Sequence, residues 1–192
     1  MKLVFHPKYK RAGESVRAFS LLAFFIVIIA GARYAGDPPP AHTGGFGEPT
    51  CHYCHFDNEL NGEGGSLLLS GAEKGYTAGD WYLLDVLLTR EEIERAGFQV
   101  SVRTISGNQA GTLKSVDGYV AVDTLNGIQY LRQTEAGSYP SSQDTARWQF
   151  KWQAPADTGT VVFHITSNAA NGDNSEFGDF IYQISHELTP KN

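Results

Sequence analysis

A mainly β protein, an antiparallel sandwich preceded by a short irregular segment, is the fold that three observations predict. From Ser66 onward, short runs rich in aromatic and β-branched residues recur at short intervals. They are separated by clusters of Gly, Asn, Asp, Ser and Pro, including the hairpin-type pairs Asp117-Gly118 and Asn126-Gly127. About 160 of the 192 residues lie beyond an apolar leader, enough for one domain with an adequate core. No internal repeat or low-complexity tract interrupts this pattern.

The chain opens with Lys2, Lys8, Lys10, Arg11 and Arg17 against one acid, Glu14, and then runs apolar from Ala18 to Ala30. A basic region before an apolar one, closed by the small-x-small triplet Ala30-Gly31-Ala32, predicts an export signal over residues 1–32. The apolar run is shorter than the ~20 residues of a comfortable membrane span, and the alternative is an uncleaved anchor through residues 18–32. Either way, a periplasmic or other extracytoplasmic location is expected, soluble after cleavage or held by that segment. Without residues 1–32 there remain ten basic and twenty acidic residues, a net charge of −10. This balance argues against nucleic acid and anionic lipid surfaces, and for basic partners.

Residues 33–66 form the next unit. Gly36-Asp37-Pro38-Pro39-Pro40 is a stiff, extended spacer. His42 to Thr50 is too glycine-rich for a helix and predicts a loop, whose glycines would admit the backbone close to a bound group with Phe46 packing on it. Then comes Cys51-His52-Tyr53-Cys54-His55, which holds both cysteines of the chain. This Cys-x-x-Cys-His spacing is that of c-type haem attachment. Each thiol can form a thioether to one porphyrin edge, which brings His55 under the iron as proximal ligand. A zinc site would need about four ligands, and only histidines are left to complete it. A thioredoxin-like dithiol would be expected beside a βαβ pattern, and the chain after residue 66 reads as strands. The residues from Phe56 to Gly65 are turn-rich and leave no room for the helices of a self-sufficient cytochrome c, so the haem must lean on the strands beyond them.

In the sandwich, residues 67–192, strands are predicted at Leu67–Leu69, Trp81–Leu88, Phe98–Ile105, Gly118–Asp123, Gly127–Leu131, Ala146–Trp152, Gly159–Thr166 and Phe180–Ile184. Trp81–Leu88 has the length of a mostly buried strand, and Thr89–Ala96 suggests a helical turn or two with Thr89 as N-cap.

Three stretches resemble the Reeler domain and, more closely, its bacterial relative, the choice-of-anchor V domain. They are Gly75–Tyr82, Ala96–Val100 with Ala110–Leu113, and Trp148–Pro155 leading into Gly159–Phe163; Asn168–Asp173 and Gly178–Tyr182 look like that family too. The resemblance covers roughly residues 67–185 and implies an immunoglobulin-like sandwich on an exported protein. Bacterial relatives often carry a Thr-Gly, Gly-Glu and Cys-x-x-Cys-His run just upstream, here Thr43-Gly44, Gly47-Glu48 and Cys51–His55. Animal Reeler domains carry disulfides that this chain cannot form within its sandwich, and no C-terminal anchor follows Asn192. The family specifies fold well and chemistry poorly.

Met1, in the leader, is the only methionine, so histidine–methionine coordination is excluded and a comparatively low potential is expected. His42, on the glycine loop, and His164, on the outer face of its strand, are equal candidates for the distal iron ligand. His52 sits between the anchors, and His186 is expected on the surface beyond the last strand. Calcium is a weaker cofactor candidate, at the oxygen-rich Asn168, Asn171, Asp173, Asn174, Glu176 and Asp179, which lack EF-hand spacing.

The sequence thus predicts an exported mono-haem c-type cytochrome that carries single electrons to or from a basic or membrane-bound redox partner, rather than a stand-alone catalyst. The alternative from another class is an envelope module that binds protein or glycan, with Cys51 and Cys54 in a disulfide. A third reading keeps the haem with an open distal face, as a sensor.

Overall fold

A computed structural model describes residues 38–157 and 159–191; the predicted signal or anchor over 1–32 lies outside the described residues. Nine strands succeed one another along these residues: β1 (Gly65–Ser70), β2 (Trp81–Arg90), β3 (Arg95–Thr104), β4 (Thr112–Ser115), β5 (Val120–Leu125), β6 (Ile128–Gln133), β7 (Thr145–Gln153), β8 (Val161–Ala170) and β9 (Phe180–Leu188). They form two antiparallel sheets, β1-β2-β7-β4 and β5-β6-β3-β8-β9. The chain is a β-sandwich, as the punctuation of short strands predicts.

Alternation along each strand builds the core. Leu84, Val86 and Leu88 of β2 and Trp148, Phe150 and Trp152 of β7 share one buried cluster with Phe98, Val100 and Val102 of β3 and Phe163 and Ile165 of β8. Phe98 stacks on Trp148 at 4.4 Å between centroids, and Trp152 meets Phe163 edge-on at 5.1 Å. Both buried indoles are satisfied, Trp148 Nε1 donating to the Gly137 carbonyl at 2.8 Å and Trp152 Nε1 to that of Ala110 at 2.9 Å.

Four local expectations need correction. Residues 89–96 do not form a helical turn: β2 continues to Arg90, a turn at Glu91-Glu92 comes next, and β3 begins at Arg95. Thr89 pairs with Thr145 and Ala96 with Ala169, so ladder bonds in two different sheets outweigh the local helical preference. Strand β2 is not mostly buried, because Trp81 and Leu83 are exposed on the open outer face of its sheet. The short strand β4 goes unpredicted; four residues carry too little periodicity to announce it. Last, His186 does not lie beyond the final strand but within β9, half-buried and opposite Phe163. The Asn126-Gly127 turn does behave as predicted, both residues adopting positive φ, 51° and 80°, between β5 and β6.

The segment from Pro38 to the start of β1 positions the site. It lies across the outer face of the five-stranded sheet. Gln99 of β3 donates to the Pro39 carbonyl at 2.9 Å and accepts from the His42 backbone at 2.6 Å. At the other end Asn61 donates to the Ile181 carbonyl at 2.8 Å and accepts from the Gln183 backbone at 2.7 Å. Among the described residues the four-stranded sheet has an open outer face, with Trp81 and Leu83 exposed, and the five-stranded sheet a covered one.

Candidate functional site

Along β8 the outward residues are His164, Thr166 and Asn168, and β3 sets Ser101, Gln99 and Gly97 directly opposite them. The Pro38–Gly64 segment covers this polar stripe residue by residue. Gly45 lies so close to His164 that a Cβ would collide with the imidazole, and Gly44, at φ 74°, lies equally close to Gln183. These glycines bring the backbone against the sheet, where the sequence predicted an approach to a bound group. Phe46 packs edge-on to His164 at 5.3 Å, and the Arg103 guanidinium lies 5.2 Å from its ring.

Glu48 anchors this loop. Its carboxylate accepts from Thr43 Oγ1 at 2.6 Å, from the Tyr130 hydroxyl at 2.6 Å, and from Arg103, with which it forms an ion pair. Thr43 is also 3.1 Å from Ser101, and Arg103 donates to the Tyr130 oxygen at 2.7 Å. Burial alone would raise the Glu48 pKa, but these hydrogen bonds and the Arg103 charge bring it below the ordinary carboxylate value. For Tyr130, burial and the adjacent Glu48 raise the phenol pKa.

The Cys-x-x-Cys-His motif begins as a single 3₁₀ turn, Cys51–Tyr53, capped by the Thr50 hydroxyl, which accepts from the His52 backbone at 3.1 Å. The His55 backbone donates to the Cys51 carbonyl at 3.0 Å, which tightens the motif so that both thiols and the histidine emerge from one short coil. Both cysteines are free thiols. Cys51 is half-buried over β8, where burial pushes its thiol up to about 11 against the lowering effect of the nearby Thr166 hydroxyl; Cys54 is exposed. The His52 ring is engaged by the Asn58 carbonyl at 2.8 Å.

His55 Nδ1 lies 2.7 Å from Oδ2 of Asp179, a carboxylate with 1% of its side chain exposed. Asn168 Nδ2 donates to the same oxygen at 2.9 Å, and the Asn171 backbone donates to Oδ1 at 3.2 Å. An ionised carboxylate only accepts, so the contact takes Nδ1 as the donor, the assignment in which Nε2 is the nitrogen left to bind a metal. The same logic applies to His42, whose Nδ1 is 3.1 Å from the Pro40 carbonyl. The His42 ring is also edge-on to Tyr53 of the motif, 6.5 Å between centroids. His164 differs: its buried Nδ1 has no hydrogen-bond partner among the described residues, and burial, reinforced by the Arg103 charge, lowers its pKa. Asn168 Oδ1 is also buried without a partner among the described residues.

Sequence reasoning singled out Cys51, Cys54 and His55, with His42 and His164 as candidate distal ligands. It missed the role of Asp179, which it assigned to a possible calcium loop. Within that loop Asn171 Oδ1 accepts from the Asp173 backbone at 3.1 Å and Asp173 Oδ1 from the Ser175 backbone at 2.8 Å. Among the described residues no group of three or more His, Cys, Asp or Glu side chains forms a metal-ligand cluster. The polar stripe was also missed, although a signal exists. The open face of β7 carries Arg147, Gln149 and Lys151, whereas the covered face carries the uncharged Gln99 and Ser101 of β3 and Thr166 and Asn168 of β8, with arginines only at the ends of β3, Arg95 and Arg103.

No protein-family model matches the chain, and a search of curated proteins returns no match. Among solved structures the chain is similar to the reelin-N domain of F-spondin, 18% identical over 73% of this chain and 97% of that one, with a TM-score of 0.47. It is similar to the human F-spondin reeler domain, 19% identical over 70% of this chain and 96% of that one, with a TM-score of 0.44. BslA, a bacterial hydrophobin, is 12% identical over 67% of this chain and 96% of that one, with a TM-score of 0.37. At this level nothing about chemistry can be taken from them, and the sandwich rests on its own strand pairing.

Proposed function

We propose that this chain is an exported mono-haem c-type cytochrome that transfers single electrons, with Cys51 and Cys54 as thioether anchors, His55 as proximal ligand and His42 as distal ligand. The observation that carries this reading is the 2.7 Å contact between His55 Nδ1 and the buried Asp179 carboxylate. In a histidine that directly succeeds Cys-x-x-Cys, a buried carboxylate holds the Nδ1 proton and leaves Nε2 as the donor a metal requires. His42 is preferred to His164 because the Pro40 carbonyl holds its ring in the same way, while His164 lies under Gly45 and Phe46. Exposed Tyr53 within the motif and exposed Phe56 directly after it, in edge contact with exposed Phe177 at 6.0 Å, offer apolar surface suited to a porphyrin.

A haem bound here would supply one-electron iron chemistry, at low potential without a methionine ligand. Cys51 and Cys54 would tether it, Asp179 and the Pro40 carbonyl would orient the two imidazoles, and Glu48 and Arg103 pin the loop between them. The basic-then-apolar leader supports export, and the −10 charge beyond residue 32 supports a redox partner that is basic or membrane-bound. The stretch through residues 18–32 would provide any membrane attachment.

The test is the visible spectrum and reduced pyridine haemochrome of the chain exported from a host competent in cytochrome c maturation, beside a Cys51→Ala, Cys54→Ala control. The expected outcome is a c-type spectrum that the control lacks. A colourless, folded protein would overturn the reading in favour of a protein- or glycan-binding module with a Cys51–Cys54 disulfide.

A further inference from the structure

We infer that Asp179 is a positioning residue that sets the reduction potential of the site through His55, with Asn168 as its modulator; this rests on the haem reading above. Asp179 belongs to the turn entering β9, far from the motif in sequence, yet its Oδ2 is 2.7 Å from His55 Nδ1 while its side chain is almost wholly withdrawn from water. A carboxylate buried to this degree acts on the imidazole with little solvent screening. It draws the Nδ1 proton toward itself and makes Nε2 a stronger electron donor, which favours the ferric over the ferrous state. The one-electron couple needs no proton balance: the electron comes from the redox partner, and the Nδ1 proton stays between His55 and Asp179 in both oxidation states.

Asn168 gives the inference its second, opposite sign. Its Nδ2 donates to the same Oδ2 at 2.9 Å and so competes with His55 for that oxygen; the two donor nitrogens lie 3.3 Å apart. Removing the amide leaves the carboxylate a stronger acceptor for the imidazole. Asp179 and Asn168 therefore push the potential in opposite directions, whereas a merely structural pair would move it together or not at all.

The experiment uses the haem-loaded full chain at one fixed pH, comparing wild type, Asp179→Asn, Asp179→Glu and Asn168→Ala by redox titration, with low-temperature EPR of the ferric form and thermal melts as fold controls. The expected result is a more positive midpoint in Asp179→Asn with wider g anisotropy, partial return in Asp179→Glu, and a more negative midpoint in Asn168→Ala. Haem-loaded, folded variants with unmoved potentials and spectra would overturn the inference and leave the haem reading intact. If Asp179→Asn does not fold, the sign in Asn168→Ala decides, and a positive or absent shift there overturns it. A wild-type chain without haem would overturn the haem reading and this inference together.

Discussion

His42 and His164 were equivalent by sequence, and their rings differ in what holds them. The Pro40 carbonyl fixes the tautomer of His42, while His164 is packed under a loop with its Nδ1 unpaired. His42→Ala in the haem-loaded protein should therefore open the iron, and carbon monoxide should shift the reduced spectrum at once, with His164→Ala and wild type resisting it. Immediate carbon monoxide binding by wild type would instead favour the open-site sensor. The two thiols also separate at this scale. In protein made without haem maturation, Cys54 should alkylate readily near pH 8 while Cys51, held at about 11 by burial, stays largely unmodified, as peptide mass spectrometry would show. Comparable labelling of both would refute the buried placement of Cys51.

The Pro38–Gly64 segment depends on the buried Glu48–Arg103 pair, whose side chains are 12% and 7% exposed. Glu48→Leu would leave Arg103 charged and unpaired, at a cost of about 3–5 kcal/mol, and Glu48→Gln less, because it keeps hydrogen-bonding capacity. Denaturant titration with amide exchange over residues 43–50 checks this, since local release of the segment would show there first. Acid should act in the same direction. The folded pKa of Glu48 is lowered, so its stabilisation is complete above the unfolded carboxylate value near ~4.3 and lost as pH falls through the folded value. The folded pKa of His164 is lowered too, so below its unfolded value near ~6.5 the unfolded state binds more protons and stability falls. Protection factors for the segment should thus decline in two stages on acidification. Protection that rises toward acid pH would contradict both assignments.

The two faces of the molecule should respond very differently to substitution. Trp148→Ala would remove a fully buried ring stacked on Phe98 and is expected to cost about 3–5 kcal/mol, whereas Leu83→Lys on the open outer face should fall within about 0.5 kcal/mol of wild type in urea denaturation. Similar costs at both positions would mean that the outer face of the β1-β2-β7-β4 sheet is covered in solution.

The sequence by itself determined eight of the nine strands and the Cys-x-x-Cys-His spacing. Both are local signals: alternation marks a strand wherever its partner lies, and Cys51, Cys54 and His55 are neighbours along five residues. For the proposed haem it offered two histidines as distal ligand, His42 and His164. Only the tertiary structure decided which face of the sandwich is covered, because that depends on Gln99, Ser101, His164 and Thr166 meeting a segment far from them in the chain. Only the fold could bring Asp179 to His55, since a carboxylate in a turn carries no local mark of the imidazole it will meet. Pairing in two sheets likewise overrode the helical appearance of Thr89–Ala96, because ladder bonds made at a distance outweigh preferences of a few tenths of a kcal/mol per residue.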